Sequence, residues 1–201
     1  MKKIGIMGGT FDPIHIGHLI LGESAYDQLG LDRVVYMPAG NPPHKREREG
    51  RATNEERLEF VRRAIDGNPH FAVSDREMKQ EGLSYTYRTL EGLRAENPDE
   101  IYYFIIGADS LFDFDDWKEP QRIADNCVLA AATRDHATRE ELDLRIRDLN
   151  DRYGAKIELL DTDTIDISSH QIRSRIEKGR SVRYFVPDPV IEYINERGIY
   201  R

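Results

Sequence analysis

The chain is short of cysteine, of long apolar runs and of surplus positive charge, and each shortage excludes something. A single cysteine, Cys127, among 201 residues rules out an internal disulfide framework and suits a reducing compartment. No apolar stretch approaches the roughly 20 residues that cross a bilayer. The opening MKK runs straight into IGIMGG, which is too short for a secretory h-region and lacks a small-residue cleavage site. Acidic residues outnumber basic ones, 37 to 29, for a formal net charge of -8. That balance argues against general nucleic-acid binding, whose footprint is usually basic, but not against a local nucleotide site. The expectation is a soluble cytoplasmic protein with neither nucleic acid nor membrane as partner. Whether it is a monomer or a homo-oligomer is not legible.

Several motifs are missing too. There is no G-x-G-x-x-G fingerprint, no P-loop and no H-E-x-x-H pair, and no serine sits in a G-x-S-x-G elbow. What is present is an alternation of short apolar runs with helical patterns. Strands are expected over residues 2–9, 33–40, 70–75, 101–110, 127–134 and 156–161. Helices are expected over 18–30, 53–67, 84–97, 138–154, 168–179 and 187–198. In the second helix, Leu58, Val61, Ala64 and Ile65 mark the apolar face and Thr53 or Asn54 the cap. Strands alternating with helices imply right-handed crossovers, hence a Rossmann-like, doubly wound and mostly parallel α/β sheet with helices on both faces. One domain is expected over 1–201, with a core at 1–165 and C-terminal helices at 166–201. Residues 39–54, rich in Pro, Gly and alternating charge, are expected to form a long surface loop.

The stretch GGTFDPIHIGH, residues 8–18, follows the first strand. Gly8 and Gly9 there would permit positive φ and close approach of the backbone to a ligand. His15 and His18, three apart at a helix start, would share a side. With no cysteine or carboxylate at ligand spacing, no protein metal site is expected. A helix N-terminus after a glycine turn attracts anions, and two imidazole donors added to it suit phosphate. A second helix start, DISSHQIRSRI, offers Ser168 and Ser169 as caps and Arg173 one turn on. A cation there conflicts with the helix dipole unless an anion pairs with it. The 39–54 loop adds His44 and Lys45, while Arg46, Arg48 and Arg51 are expected to be merely solvated. His15, His18, Lys45 and Arg173 could thus converge on a polyphosphate.

GGTFDPIHIGH resembles the signature of nucleotidyltransferases with a (T/H)xGH motif, and ISSHQIR resembles their second signature, ISSTxxR. His170 stands where threonine is common. Taken with PPHK, SYTYRTL, FIIGADSL, DDW and VPDPVIEYINERGIYR, the series is similar to the bacterial nicotinate-mononucleotide adenylyltransferases over essentially the whole chain. The resemblance implies that ATP and nicotinate mononucleotide give nicotinate adenine dinucleotide and pyrophosphate, with Mg²⁺ carried on the ATP. It implies that His15, His18, Lys45 and Arg173 act on the phosphates. It gives ATP to Gly8, Gly9, Thr10, Phe11, Gly107, Asp109, Arg134, Ser168 and Ser169. The mononucleotide goes to His44, Thr86, Trp117 and Lys118. The nearest alternatives are transferases acting on another phosphorylated acceptor, or a nucleotide sensor without catalysis.

Overall fold

The computed structural model describes residues 1–42, 51–133, 138–162 and 165–201. His44, Lys45, Arg46, Arg48 and Arg134 lie outside them. In chain order the elements are β1 (Lys3–Gly9), α1 (Ile16–Leu29), β2 (Arg33–Pro38), α2 (Asn54–Ile65), β3 (Phe71–Val73), α3 (Arg76–Lys79) and α4 (Thr86–Glu96). There follow β4 (Ile101–Gly107), α5 (Ala108–Phe112), a 3₁₀ turn at Phe114–Asp116, α6 (Pro120–Ala124), β5 (Val128–Ala132), α7 (Arg139–Tyr153), β6 (Lys156–Leu160), α8 (Ser169–Glu177) and α9 (Asp188–Arg197).

The six strands lie in the order β3-β2-β1-β4-β5-β6, and the pairs β1·β4, β4·β5 and β5·β6 are parallel. This is the expected doubly wound α/β architecture. Chain order reverses between β1 and β4, which is the switch point beyond whose carboxyl ends such sheets take ligands. Gly8 lies near the carboxyl end of β1 and Gly107 ends β4, so both glycine signals fall there. Ile4, Ile6 and Met7 of β1 and Leu129, Ala130 and Ala131 of β5 are buried, as strands covered on both faces require.

Two compact units emerge within the chain. One gathers Met1–Gly8, Leu21–Val35 and Tyr85–Thr164; the other gathers Gly9–Ile20, Tyr36–Ser84 and Ile165–Arg201. In the first, α7 is locked at its start by a capping box between Thr138 and Glu141 and ended by Gly154 in the left-handed region. In the second, Thr53 caps α2 through a capping box with Glu56, and Phe60, Val61 and Ile65 face the core.

The boundaries differ from expectation in three places. The apolar run expected as a strand to residue 110 leaves the sheet at Gly107, because Ala108–Phe112 turns into α5. The first helix starts at Ile16, two residues early. The short α3 and α6 were not expected; α6 carries proline in its first turn, where a missing N–H costs nothing.

Candidate active site

Much of the expected phosphate site falls inside the second unit. The chain leaves β1 through Gly9, whose Cβ, had it one, would stand 2.9 Å from the Phe11 ring. Close approach, not unusual backbone, is therefore what Gly9 supplies. The positive φ that these glycines would permit falls on Phe11, at 49°. An aromatic residue holds that conformation only when its surroundings over-determine it. Phe11 is buried, edge-on to His18 with centroids 5.1 Å apart and near Tyr36 at 6.0 Å.

His15 and His18 do share a side. Their rings lie 3.7 Å apart with planes inclined by 31°. The His15 backbone N–H donates to Nδ1 of His18 at 3.2 Å. An accepting Nδ1 carries no proton, so the proton of the His18 ring sits on Nε2. Tyr36 holds the same turn by donating to the His18 carbonyl at 3.2 Å.

The helix starts offer fewer donors than the sequence suggests. The Ile16 amide of α1 is taken by the Phe185 carbonyl at 2.9 Å, and the His15 amide by His18. At α8, Ser168 is the cap, accepting from the Gln171 amide at 3.2 Å. The Ser169 hydroxyl donates to the Pro13 carbonyl at 2.8 Å, which ties α8 to the glycine-rich turn. His170 is exposed.

Arg173 has the anion that its position on the first turns of α8 demanded. Its NH1 donates to the Asp12 carbonyl at 2.6 Å and lies 3.6 Å from Asp12 Oδ2. Arg51, expected to be solvated, instead lies 3.7 Å from the same oxygen with its side chain 21% exposed. Asp12 itself is 2% exposed.

Arg57 is the residue the sequence reading passed over. It is 4% exposed on α2 and donates to the carbonyls of Thr10 and Ala39, each at 2.6 Å, and to Asn54 at 2.6 Å. Burial lowers its pKa from the ordinary guanidinium value, and Asp12 partly offsets that. A cation four residues before Val61, on the buried stripe of an amphipathic helix, was the available signal.

The first unit carries the other expected contacts. Gly107 precedes α5 and Asp109 is exposed on it. Thr86 opens α4 and is half-buried. Trp117 is half-buried, packed against Phe104 and Phe114 with centroids 5.9 Å away in each case. Lys118 does not turn inward: its side chain is 59% exposed and its amine is 3.8 Å from Glu119. The segment from α5 to Trp117 is clamped by α7. Arg145 donates to the carbonyls of Leu111 at 3.1 Å and Phe112 at 2.9 Å, and pairs with Asp115 at 3.0 Å.

Comparison with known proteins adds the following. A family described as cytidylyltransferase-like matches residues 6–175. A probable nicotinate-nucleotide adenylyltransferase of Lachnoclostridium phytofermentans is 42% identical over 200 residues, covering 100% of both chains. One of Geobacter metallireducens is 42% identical over 212 residues, covering 98% of each. The solved structure of Plasmodium falciparum nicotinic acid mononucleotide adenylyltransferase complexed with NaAD has a TM-score of 0.83 at 19% identity, covering 100% of this chain and 98% of that one. That last likeness is one of fold.

Proposed function

The chain belongs to the cytidylyltransferase-like family, and from that premise we propose how its site works. The enzyme transfers the adenylyl group of ATP to nicotinate mononucleotide, giving nicotinate adenine dinucleotide and pyrophosphate in NAD biosynthesis. The observation that carries this reading is 42% identity along the whole chain to relatives named for that activity.

The nucleophile is the mononucleotide's own phosphate. One of its oxygens bonds to the α-phosphorus of ATP as the bridge to the β-phosphorus breaks, and pyrophosphate leaves with the electron pair. No side-chain nucleophile is needed, so catalysis rests on alignment and on meeting the charge that develops. His18 donates from Nε2 to the oxygen gaining charge at the α-phosphate, its tautomer set by the His15 amide. His15 contributes the second imidazole. Arg173 and the Ser168–Ser169 helix start receive the leaving pyrophosphate. Lys45, outside the described residues, joins them. Mg²⁺ enters as part of the substrate, on the ATP phosphates.

Gly8, Gly9, Thr10 and Phe11 meet the nucleotide through backbone groups, and Gly107, Asp109 and Arg134 take the adenosine. Thr86, with the Trp117–Lys118 backbone and His44, takes the pyridine and its carboxylate. Pyrophosphate release from ATP, followed with a panel of phosphorylated acceptors, tests the reading. Nicotinate mononucleotide should turn over, while phosphopantetheine and glycerol phosphate should not. Turnover with one of the latter alone would refute it.

A further inference from the structure

We propose that the Tyr200 hydroxyl is a positioning group for the leaving pyrophosphate, acting through Asp12 on Arg51 and Arg173; this rests on the adenylyl-transfer reading above. Tyr200 and Asp12 are 188 residues apart in sequence, yet the hydroxyl donates to Asp12 Oδ1 at 2.5 Å. The Ala52 amide donates to the same oxygen at 3.2 Å. Tyr200 is 5% exposed and its ring lies 6.2 Å from that of Phe60. Its φ is 65°, the left-handed region again, as at Phe11 beside Asp12. Two aromatic residues held in a conformation that disfavours them, one next to the carboxylate and one bonded to it, mark a tightly specified junction.

The other carboxylate oxygen shows what the junction is for. Among the described residues, Asp12 Oδ2 is buried with no hydrogen-bond partner. Guanidinium nitrogens of Arg173 and Arg51 stand at 3.6 and 3.7 Å from it, beyond hydrogen-bond reach but well within electrostatic range. One negative charge thus holds two positive charges together without consuming their N–H donors. Arg173 spends one N–H on the Asp12 carbonyl. The fork of each arginine stays suited to bidentate phosphate. The carboxylate keeps this stance because Oδ1 is pinned by two donors. Burial and the Asp12 charge both raise the Tyr200 pKa, so the phenol remains a donor throughout the working range. Without the hydroxyl, Oδ1 keeps only the longer Ala52 contact, and the carboxylate is held loosely enough to turn and close on an arginine, withdrawing donors from the phosphates.

The test is calorimetric binding of inorganic pyrophosphate and, separately, of nicotinate mononucleotide to the full chain, which requires no turnover. Tyr200→Phe keeps the ring and removes only the hydroxyl. We expect its Kd for pyrophosphate to rise about tenfold, with the Kd for nicotinate mononucleotide within about twofold of the parent. Arg51→Gln should do the same. Tyr193→Phe, which alters another ring packed on Phe60, should change neither. Parental pyrophosphate affinity in Tyr200→Phe, or equal loss of both ligands, would overturn the proposal. If Tyr200→Phe does not fold, Arg51→Gln decides, and parental affinity there overturns it. Failure of the parent protein to turn over ATP would instead strike at the adenylyl-transfer reading.

Discussion

The His15 amide and the His18 ring form one unit: the amide donates to Nδ1 at 3.2 Å and thereby makes Nε2 the protonated nitrogen. A neutral imidazole so oriented is a fixed donor, the kind of group that serves a charge appearing only in the transition state. His18→Ala should therefore lower kcat by about 10²–10³, with a smaller effect on the KM for ATP. His18→Gln, which restores an N–H near the Nε2 position, should recover part of the loss. Steady-state kinetics measure both. Near-parental kcat in His18→Ala would remove this residue from the reaction.

Arg57 makes a structural prediction. Its planar fork reaches Thr10 and Ala39 carbonyls together, and a lysine ammonium cannot span both in that geometry. Arg57→Lys leaves a buried carbonyl short of a donor and should cost about 2–3 kcal/mol in urea unfolding. A loss below about 0.5 kcal/mol would mean the glycine-rich turn does not depend on it.

Arg145 makes a kinetic one. It clamps the end of α5 and Asp115, and so the segment leading to Trp117. Arg145→Ala should raise the KM for nicotinate mononucleotide about tenfold while kcat falls less, since positioning and not charge development is lost. An unchanged KM would show that Trp117 is held by its ring contacts alone.

Alkaline pH should destabilise the fold. Burial pushes the Cys127 thiol up to about 12, and burial with the Glu100 carboxylate pushes the Tyr102 hydroxyl up to about 12. Unfolded, these groups ionise near about 8.5 and about 10. The unfolded chain thus loses its protons first, and the contribution, complete below about pH 8, is lost as pH rises toward 12. Urea midpoints between pH 8 and 10.5 should fall, and Cys127→Ala should fall less steeply from its own starting value. Identical slopes would contradict this. The native thiol should also resist disulfide reagents at pH 8, reacting only on unfolding.

The sequence disclosed the fold wherever periodicity was uninterrupted. β1, β5 and α7 needed only apolar runs and caps. It disclosed His15 and His18 because spacing at a helix start fixes a shared side. It could not disclose that Gly9 makes room for a ring while Phe11 takes the unusual backbone, since two conformations share one glycine signal. Arg51 read as an ordinary solvated cation and Arg57 drew no reading, because their partners include a carboxylate and backbone carbonyls in residues 10–39. Tyr200 was unreadable for the same reason: a contact 188 residues long leaves no local trace.

In the proposed reaction the site joins an adenylyl group to the acid form of the mononucleotide. A pyridine carboxylate offers only acceptors, which suits backbone N–H donors such as those proposed near Thr86 and Lys118. A carboxamide presents an NH₂ to one of them and leaves groups unpaired, at about 1–3 kcal/mol for each. The deciding measurement is kcat/KM for nicotinate mononucleotide and for nicotinamide mononucleotide at saturating ATP, with the dinucleotide product identified by mass. Nicotinate adenine dinucleotide should be the product, with a ratio favouring the acid by about 10²–10⁴. A ratio near one, or no dinucleotide from the acid, would contradict it.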